Sequence, residues 1–461
     1  MVHLSPRQRT QKAKCPSQSM YLLCSPRQFQ HATRVDVIFD RYITPSIKSV
    51  ARTKRGESGE RRLKEDISVP AGRDTWKKFL HNSNNKSELY RLLAKSITTQ
   101  HSLNKDIVAT IDDTILAYKH SSNMNLEDLT PCNHEEADTR IFLHAGNASN
   151  NGHASVTIRS SDTDVLVIGI HHFKALNLQQ LWIATGTGKD FRYLPVHEIV
   201  VSLGLSRAAG LAFFHAFTGC DTVSNFYDIG KRTAWNTVNA WPEIWEIFTE
   251  MSCHPDSLSD STMESIEKFT VLMYNKHSKK VLVNEARREM IGDGRTVDKA
   301  PPTHSALLLQ AKRACYVGGH QWRSSLIASQ MLPIVTEWGW KLDGTALVPV
   351  WTLLPVASKA CKEFIRCGCK ITKKGCGTQC KCRKHRLPCT ELCKCRGECC
   401  AIDTAGDITN PNTSAVLDVH EMSDVDVADT IGERPSCSLE NVGDTDVEKG
   451  VSDEPMDCTD G

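Results

Sequence analysis

The sequence predicts an α/β core built on a parallel sheet, followed by a helical extension and a small cysteine-rich module. Short β-branched runs alternate with segments of helical periodicity through the first half of the chain, as in folds that pack helices on a sheet. From residue 241 to about residue 329 the apolar spacing is mostly helical. Ten of the 19 cysteines lie between Cys367 and Cys400. The predicted divisions are a poorly ordered basic leader (1–33), the α/β core (34–240), the helical extension (241–358), the cysteine-rich module (361–400) and an acidic disordered tail (401–461).

Composition narrows the class of protein. The chain has 461 residues and 40% hydrophobic content, enough for at least one large core. Its net charge of +2 hides local asymmetry, because residues 361–400 carry 11 Lys and Arg against three acids and residues 401–461 carry 16 acids against two bases. The first residues are polar and basic, and no apolar run approaches the ~18 residues that span a bilayer. We therefore expect no membrane partner, and cysteines that are reduced thiolates rather than disulfides.

Local patterns predict the order of the elements in the core. Residues 35–39 (VDVIF) form a buried strand that ends at Asp40. Residues 107–118 are apolar and fit either a strand or a helix, and the apolar segment 338–357 is expected to pack back on the core. Further strands are predicted at 154–158 and, as a hairpin around the turn TGTGKD, at 181–185 and 191–194. Helices are predicted at 74–80, 86–98, 197–203 and 208–217.

Four carboxylates are predicted to gather at one edge of the sheet. Glu136 and Asp138 open a helix, in which Asn133 and Glu136 resemble a capping box, and Asp162 and Asp164 end the next strand. If that strand persists, the two aspartates share one of its faces. A helix and the strand that follows it run antiparallel, so both pairs fall at the carboxyl edge, where open α/β sheets bind ligands.

Two interpretations of these acids compete. If each pair of acids is considered alone, a structural role explains it better than a ligand site does. The first pair would complement the dipole at a helix N-terminus, and the second would form an N-cap or an Asx turn. Together with Asp40 and Asp221, which lie at other predicted element ends, they favour a divalent-metal site, since close carboxylates repel one another without cations. The 18 histidines, His215 among them, show no ligand spacing, so we expect packing or surface roles for them.

The acidic motifs also match a known order. Glu136-Ala-Asp138, Ser161-Asp162-Thr163-Asp164 and Gly219-Cys220-Asp221 followed by IGKRTA occur in sequence. This order resembles the flap endonuclease/XPG branch of the PIN-like nucleases, in which such acids bind two divalent ions and the I-G-x-x-x-A stretch belongs to a helix–turns–helix that grips DNA. VIFD at 37–40, followed by Pro45, Lys48 and an arginine-rich run, resembles another segment of that family. The resemblance covers roughly residues 35–240.

The resemblance implies Mg²⁺- or Mn²⁺-dependent hydrolysis of a phosphodiester, in which the ions activate water and stabilise the leaving oxygen. The residues that it implies as catalytic are Asp40, Glu136, Asp138, Asp162, Asp164 and Asp221. Three departures accompany it: residues 1–33 contain no aspartate to match the family's first active-site aspartate, Asp138 replaces the usual Glu, and Arg41 stands where the family has Gly. Two hypotheses follow, a structure-specific nuclease and a catalytically inactive DNA-binding protein that keeps the nuclease core as a scaffold.

The cysteines of the module are regularly spaced. From Cys367 the pattern is C-x-C-x6-C-x3-C-x-C-x6-C-x3-C-x-C-x3-C, with a repeat of 13 residues. Thiolates this dense favour a soft metal, and Zn²⁺ is the usual ion. The pattern resembles the CXC domain of tesmin and of related chromatin and transposon-associated proteins, in which nine cysteines hold three zinc ions. The resemblance implies about three Zn²⁺ on Cys367, Cys369, Cys376, Cys380, Cys382, Cys389, Cys393, Cys395 and Cys399, with Cys400 as an alternative last ligand.

Basic residues near both predicted sites suit DNA phosphates. In the core the candidates are Lys231 and Arg232, for which a solvated first helical turn is the alternative; in the module they are Lys381, Arg383, Lys384 and Arg386. A structural zinc module that binds protein is the alternative for the module. The order of core, apolar segment and CXC module resembles uncharacterised repetitive-element proteins of animals. We therefore expect a nuclear, mobile-element-derived protein with DNA, and chromatin proteins, as partners.

Overall fold

A mixed sheet of seven strands lies at the centre of the structure, a computed structural model. The residues that it describes are 2–3, 32–48, 73–99, 104–120, 123–352, 366–369, 376–377, 379–384, 389 and 393–396. Most of the predicted basic leader, all of the predicted acidic tail, Arg386 and Cys399 lie outside these residues. The strands are β1 (Val2–His3), β2 (Arg34–Ile38), β3 (Asp106–Ile111), β4 (Thr114–Tyr118), β5 (Ser155–Arg159), β6 (Gln180–Thr185) and β7 (Arg192–Pro195).

The sheet is parallel in its centre and antiparallel at both edges. Its order is β4-β3-β2-β1-β5-β6-β7, and the five central strands run parallel. The outer strands β4 and β7 pair antiparallel with β3 and β6 because each pair is joined by a tight turn. The α/β class is confirmed. The five central strands form the predicted parallel sheet, the antiparallel pair β6–β7 is the predicted hairpin, and β4 adds an antiparallel edge that the sequence pattern left open. The ambiguous segment 107–118 is the β3–β4 hairpin, which turns at Asp112 with a φ of 50°.

Helices surround the sheet and continue beyond it. They are α1 (Arg73–His81), α2 (Ser83–Thr98), α3 (Ala137–Asn150), α4 (Thr163–Leu176), α5 (Val196–Leu203), α6 (Leu205–Phe217), α7 (Lys231–Ala240), α8 (Ile244–Cys253), α9 (Asp260–Tyr274), α10 (Val283–Gly292), α11 (His304–Ala314) and α12 (Lys381–Lys384). The predicted helical character of residues 241–329 is confirmed. Among the described residues no single helix is long and apolar enough to cross a membrane, although α5 and α6, bent by 104°, pass such a test as a pair.

Helix α6 is the element that joins the sheet region to the helical extension. It packs against α4 on one side and against α8 on the other. Phe213 and Phe217 on α6 stack with ring centroids 5.5 Å apart, and Phe248 on α8 meets Phe269 on α9 at 5.1 Å. All four rings are fully buried. Aromatic burial of this extent fixes the direction of α6, and its carboxyl end leads into the turn that carries Asp221.

A buried π-helix at Cys315–Gln321 packs against α6 and α8 through two glycines. A Cβ on Gly318 would lie 2.8 Å from the carbonyl oxygen of Ala212, and one on Gly319 would lie 2.5 Å from Cβ of Pro255. Real Cβ atoms do not approach backbone or a rigid ring this closely, so the close packing requires glycine at both positions.

Gly319→Ala is expected to destabilise the protein by about 1–3 kcal/mol or more, because the added methyl overpacks a site with no room to relax. The matched control is Gly146→Ala within α3, where the nearest atom to the new Cβ is 3.8 Å away. Alanine at a helix-interior position is favoured over glycine by about 0.5–1 kcal/mol. Thermal or urea unfolding compares the two variants, and equal stability of both would contradict the packing explanation.

Two expected helix boundaries are wrong. Asn133 does not cap α3, because its side chain makes two hydrogen bonds of 2.8 Å with the backbone of Gln330 instead. Asp162 and Asp164 do not lie on a strand: Asp162 is the N-cap of α4, and its Oδ1 accepts from the backbone N–H of Asp164 at 2.9 Å. The hydroxyl of Ser160 accepts from the Asp162 N–H, so side chains rather than a strand ladder take these backbone donors.

The cysteine-rich module packs on the helical extension. Its buried cysteines form one apolar cluster with Ile291 at the end of α10 and with Ala300, and Val297 lies against the same cluster. The apolar segment before the module forms the hairpin of β8 (Trp340–Asp343) and β9 (Ala346–Pro349). Trp340 is 1% exposed and belongs to the main core, as predicted for this segment, of which residues 353–357 lie outside the described residues.

Candidate metal centres

The carboxyl edge of the sheet brings the predicted acids together from separate elements. Asp40 follows β2, and its Oδ1 accepts from the backbone N–H of Ala137 at 3.0 Å, which ties the end of β2 to the start of α3. Glu136 is the N-cap residue of α3, and Asp138 lies in its first turn. Glu136 is 8% exposed and Asp138 is 7% exposed. Carboxylates buried to this degree are stable only beside cations or protons.

Lys48 supplies a cation to this group. Its ammonium lies 2.8 Å from Oε2 of Glu136 and 3.8 Å from Oδ2 of Asp221. Burial alone would lower the pKa of Lys48, but the charges of Glu136, Asp138 and Asp221 raise it above its ordinary value. The ammonium therefore stays charged at neutral pH, and it joins residues that are 88 or more positions away in the chain.

Burial and mutual repulsion raise the pKa values of the acids. Burial raises the pKa of Glu136 to about 6, although the nearby Lys48 opposes the shift. Burial and the charges of Glu136 and Asp162 raise the pKa of Asp138 well above its ordinary value. The pKa of Asp162 is raised by burial and by Asp164. The single ammonium of Lys48 therefore offsets only part of the repulsion among these carboxylates.

Asp164 has a different partner. It lies in the first turn of α4, and its Oδ1 is 2.8 Å from Nε2 of His215 on α6. The His215 side chain is 8% exposed and the Asp164 side chain 14% exposed. The sequence predicts a packing or surface role for His215, because the histidines show no ligand spacing. Only the position of α6 against α4 shows that it faces an acid of the candidate site.

The turn after α6 carries Asp221 and depends on a glycine. Gly219 has a φ of 112°, and a Cβ there would lie 1.7 Å from Oδ1 of Asn225, so no other residue fits without a rearrangement. The amide of Gln310 donates to the carbonyl oxygen of Phe217 at 2.9 Å and to that of Ser224, and so holds both ends of the turn. Asp221 itself has 59% of its side chain exposed.

The two predicted DNA-contacting residues of the core begin α7. The ammonium of Lys231 donates to the carbonyl oxygen of His215 at 2.8 Å and to the hydroxyl of Thr218 at 3.1 Å. Lys231 therefore binds the carboxyl end of α6, where the helix dipole favours a cation. Arg232 is exposed beside it. Arg232 is the freer of the two to meet a phosphate.

The structure therefore places five of the six predicted acids near one another. Glu136 and Asp221 contact the ammonium of Lys48, Asp138 and Asp162 interact with it electrostatically, and Asp40 is tied to the start of α3. The sixth, Asp164, adjoins Asp162 and is held by His215. The ammonium of Lys48 thus contacts one buried and one exposed carboxylate, and carboxylate oxygens are the ligands that Mg²⁺ and Mn²⁺ take. In the sequence Lys48 is marked only by the segment that resembles the nuclease family, and its role in the site depends on contacts across the fold.

The cysteines of the module form a second centre. Two groups of four buried cysteines have all their sulfur atoms within 4.8 Å of one another. The first is Cys367, Cys376, Cys380 and Cys389, and the second is Cys367, Cys389, Cys393 and Cys395. Cys367 and Cys389 belong to both groups, so their sulfurs lie where they can bridge two ions. The module can therefore hold metal, and zinc is the plausible ion.

The distances between sulfur atoms test this assignment. Sulfurs at the corners of a tetrahedron around Zn²⁺ are ~3.8 Å apart when each Zn–S bond is about 2.3 Å. The Sγ of Cys367 lies 3.9, 3.7 and 3.6 Å from those of Cys376, Cys389 and Cys395. The pair Cys382 and Cys393 is 3.5 Å apart. These separations are too long for disulfides and have the length of tetrahedral edges, so the thiols fit zinc.

The basic residues of the module lie between its cysteines. Lys381, Arg383 and Lys384 are exposed on the one-turn α12, whose Cys382 is buried. The guanidinium of Arg383 donates to the carbonyl oxygen of Cys376 at 2.8 Å, so this residue also supports the metal-binding loop. Cys369 is described but belongs to neither group of four, and it packs against the cysteine cluster.

Known proteins give no further guide to either centre. Comparison of the chain with protein-family models, with curated proteins and with solved structures found no match. The two centres therefore rest on their own geometry: carboxylates gathered around Lys48, and thiols spaced for zinc.

Proposed function

We propose that the protein is a DNA-binding, divalent-metal-dependent nuclease whose core resembles the PIN-like fold and whose cysteine-rich module binds about three zinc ions. The observation that carries this proposal is the ammonium of Lys48 among the buried acids at the carboxyl edge of the sheet. Burying carboxylates close together costs free energy, and such a group needs a cation to be stable. A functional role explains why the protein keeps these acids together better than a role in folding does.

The chain's own residues suit phosphodiester chemistry. When bound to such acids, Mg²⁺ or Mn²⁺ activates water and stabilises the leaving oxygen of a phosphodiester. Glu136, Asp138, Asp162 and Asp164 would hold the cation. Asp40 fixes the start of α3, and the exposed Asp221 lies at the solvent side of the cluster. When a phosphodiester is bound at the cluster, the positive charge of Lys48 would lie near its phosphate.

The module supports DNA as the substrate class. Its described basic residues are exposed between the cysteines. There they can contact the phosphates of a DNA backbone, which a protein partner would not provide. The proposed compartment is the nucleus, where such a protein meets DNA. Chromatin proteins are proposed as further partners there. Origin from a mobile element is part of the same proposal.

A second candidate function is DNA binding without cleavage, with the core as scaffold. It is favoured by the contact between Lys48 and Glu136, which already satisfies one acid of the cluster. In this case zinc would be essential and Mg²⁺ would be dispensable.

Cleavage of branched DNA separates the two functions. Purified zinc-loaded protein with Mg²⁺ or Mn²⁺ is expected to cut flapped DNA, and Asp162→Ala with Asp164→Ala is expected to reduce the rate by at least about 100-fold, because both acids hold the cation. The matched control is Asp260→Ala, which removes an exposed acid from the first turn of α9, away from the cluster. DNA binding with no cleavage by any of the three proteins would overturn the nuclease proposal and leave the scaffold function.

A further inference from the structure

His215 differs from the other described histidines because its carboxylate partner belongs to the candidate site. Three others also pair with acids, but with acids outside that site: His144 with Asp36, His304 with Glu267 and His320 with Asp256. His134, His171, His172 and His197 each hydrogen-bond a backbone carbonyl oxygen, at Ile327, Ala209, Trp322 and Leu181 respectively. Such bonds satisfy a buried ring nitrogen and serve packing. His215 instead faces Oδ1 of Asp164 at 2.8 Å.

The surroundings of His215 hold its ring in place. The ring lies 5.9 Å from that of Trp322, and the residue is 7% exposed. Its carbonyl oxygen accepts from the ammonium of Lys231, so both its side chain and its backbone are fixed. Two charged groups contact the residue: Asp164 from α4 contacts the ring, and Lys231 from α7 contacts the backbone carbonyl oxygen.

The contact determines which oxygen of Asp164 remains for other partners. His215 engages Oδ1, and the Asp162 carboxylate accepts from the backbone N–H of Asp164. The side chain of Asp164 is thus held at Oδ1 and its backbone at the N–H, which leaves Oδ2 for another ligand. Partners of this kind orient a metal-binding carboxylate, and their removal typically costs about 10–100-fold in metal affinity.

We propose that His215 is a positioning residue that orients Asp164 toward a divalent cation at the carboxylate cluster, and that it links this cluster to the start of α7 through Lys231. The inference rests on the proposed function and deepens it. His215 does not touch the cation or the substrate in this assignment; it acts through Asp164. A histidine at this position therefore contributes to metal affinity, which a histidine kept only for packing does not.

Binding of Mn²⁺ to the zinc-loaded full chain tests the inference. Titration followed by the electron paramagnetic resonance of free Mn²⁺ gives the affinity of wild type, His215→Leu and His215→Gln. His215→Leu is expected to weaken Mn²⁺ binding by about 10–100-fold. His215→Gln keeps an amide donor that can reach Oδ1, and it is expected to recover part of that loss. His172→Gln is the matched control, because it alters a buried histidine that bonds only to the Trp322 carbonyl oxygen.

A double-mutant cycle with Asp164→Ala gives the decisive readout. If His215 acts through Asp164, His215→Gln has no further effect on Mn²⁺ affinity once Asp164 is removed. Equal losses with and without Asp164, or wild-type affinity in a folded His215→Leu protein, would overturn the positioning role while the proposed function stands. Failure of wild type itself to bind Mn²⁺ would overturn both. Should His215→Leu not fold, the His215→Gln cycle decides alone.

Discussion

Cys367→Ser is expected to remove most of the zinc from the protein, because Cys367 belongs to both groups of four cysteines. Wild type is expected to contain about three zinc ions per chain, on the nine-cysteine assignment. Structural zinc in zinc-finger peptides has apparent binding free energies of about 10–16 kcal/mol, so the loss of a shared ligand is expected to destabilise the module strongly. Zinc content by mass spectrometry of the intact protein measures the effect.

The loss is expected to extend beyond the module. The buried cysteines pack on Ile291 and Ala300, so unfolding of the module exposes that apolar surface of the helical extension. DNA affinity is expected to fall at least about 10-fold at low salt, since the basic residues of α12 lose their scaffold. Hydrogen exchange near α10 and fluorescence anisotropy with labelled DNA report the two effects.

Cys253→Ser is the matched control for this experiment. Cys253 is a partly buried free cysteine at the end of α8 and belongs to neither group of four. Its replacement is expected to leave the zinc content unchanged. A Cys367→Ser protein with full zinc content would refute the shared-ligand geometry, and one zinc or none in wild type would refute the assignment of three.

Lys48→Met is expected to make the stability of the core depend on Mg²⁺. Removing one partner of a buried ion pair leaves an uncompensated charge and typically costs about 3–5 kcal/mol. Here Glu136 and its neighbouring acids would remain without the ammonium, so the melting temperature in Mg²⁺-free buffer is expected to fall by several degrees. Millimolar Mg²⁺ is expected to restore most of the loss, because it takes the place of the ammonium among the carboxylates.

The pH dependence of this effect has a defined sign. A carboxyl whose pKa is raised on folding stabilises the fold in its protonated form, so its contribution is lost as the pH rises through the folded value. For Glu136 that value is about 6. The destabilisation by Lys48→Met and its rescue by Mg²⁺ are therefore expected above about pH 7. Both effects are expected to shrink below about pH 5, where the acids bind protons instead.

Lys280→Met supplies the control. Lys280 pairs with Glu285 at 3.8 Å, and both side chains are about half exposed. Exposed pairs contribute about 0–1 kcal/mol, so this variant is expected to melt close to wild type with no response to Mg²⁺. If Lys48→Met behaves like Lys280→Met in thermal unfolding, the ammonium does not hold the acidic cluster together.

The sequence by itself determined the elements and the cysteine pattern, because both depend on residues close together in the chain. Apolar periodicity predicted the hairpin of β6 and β7 and the run of helices after residue 241. The spacing of the cysteines predicted a metal-binding module, since ligands on a short loop-rich segment can meet without help from the rest of the fold. The carboxyl edge of the sheet was likewise predictable, as it follows from the direction of parallel strands.

Only the tertiary structure decided how the acidic cluster is neutralised and oriented. Asn133 was expected to cap α3 but pairs with Gln330, which is 197 residues away, because a distant backbone offered two hydrogen bonds where the local cap offered one. Lys48 and His215 have ordinary sequence surroundings, and their roles arise from contacts across 88 and 51 positions. Such contacts depend on how helices pack on the sheet, and local propensity carries no information about that packing.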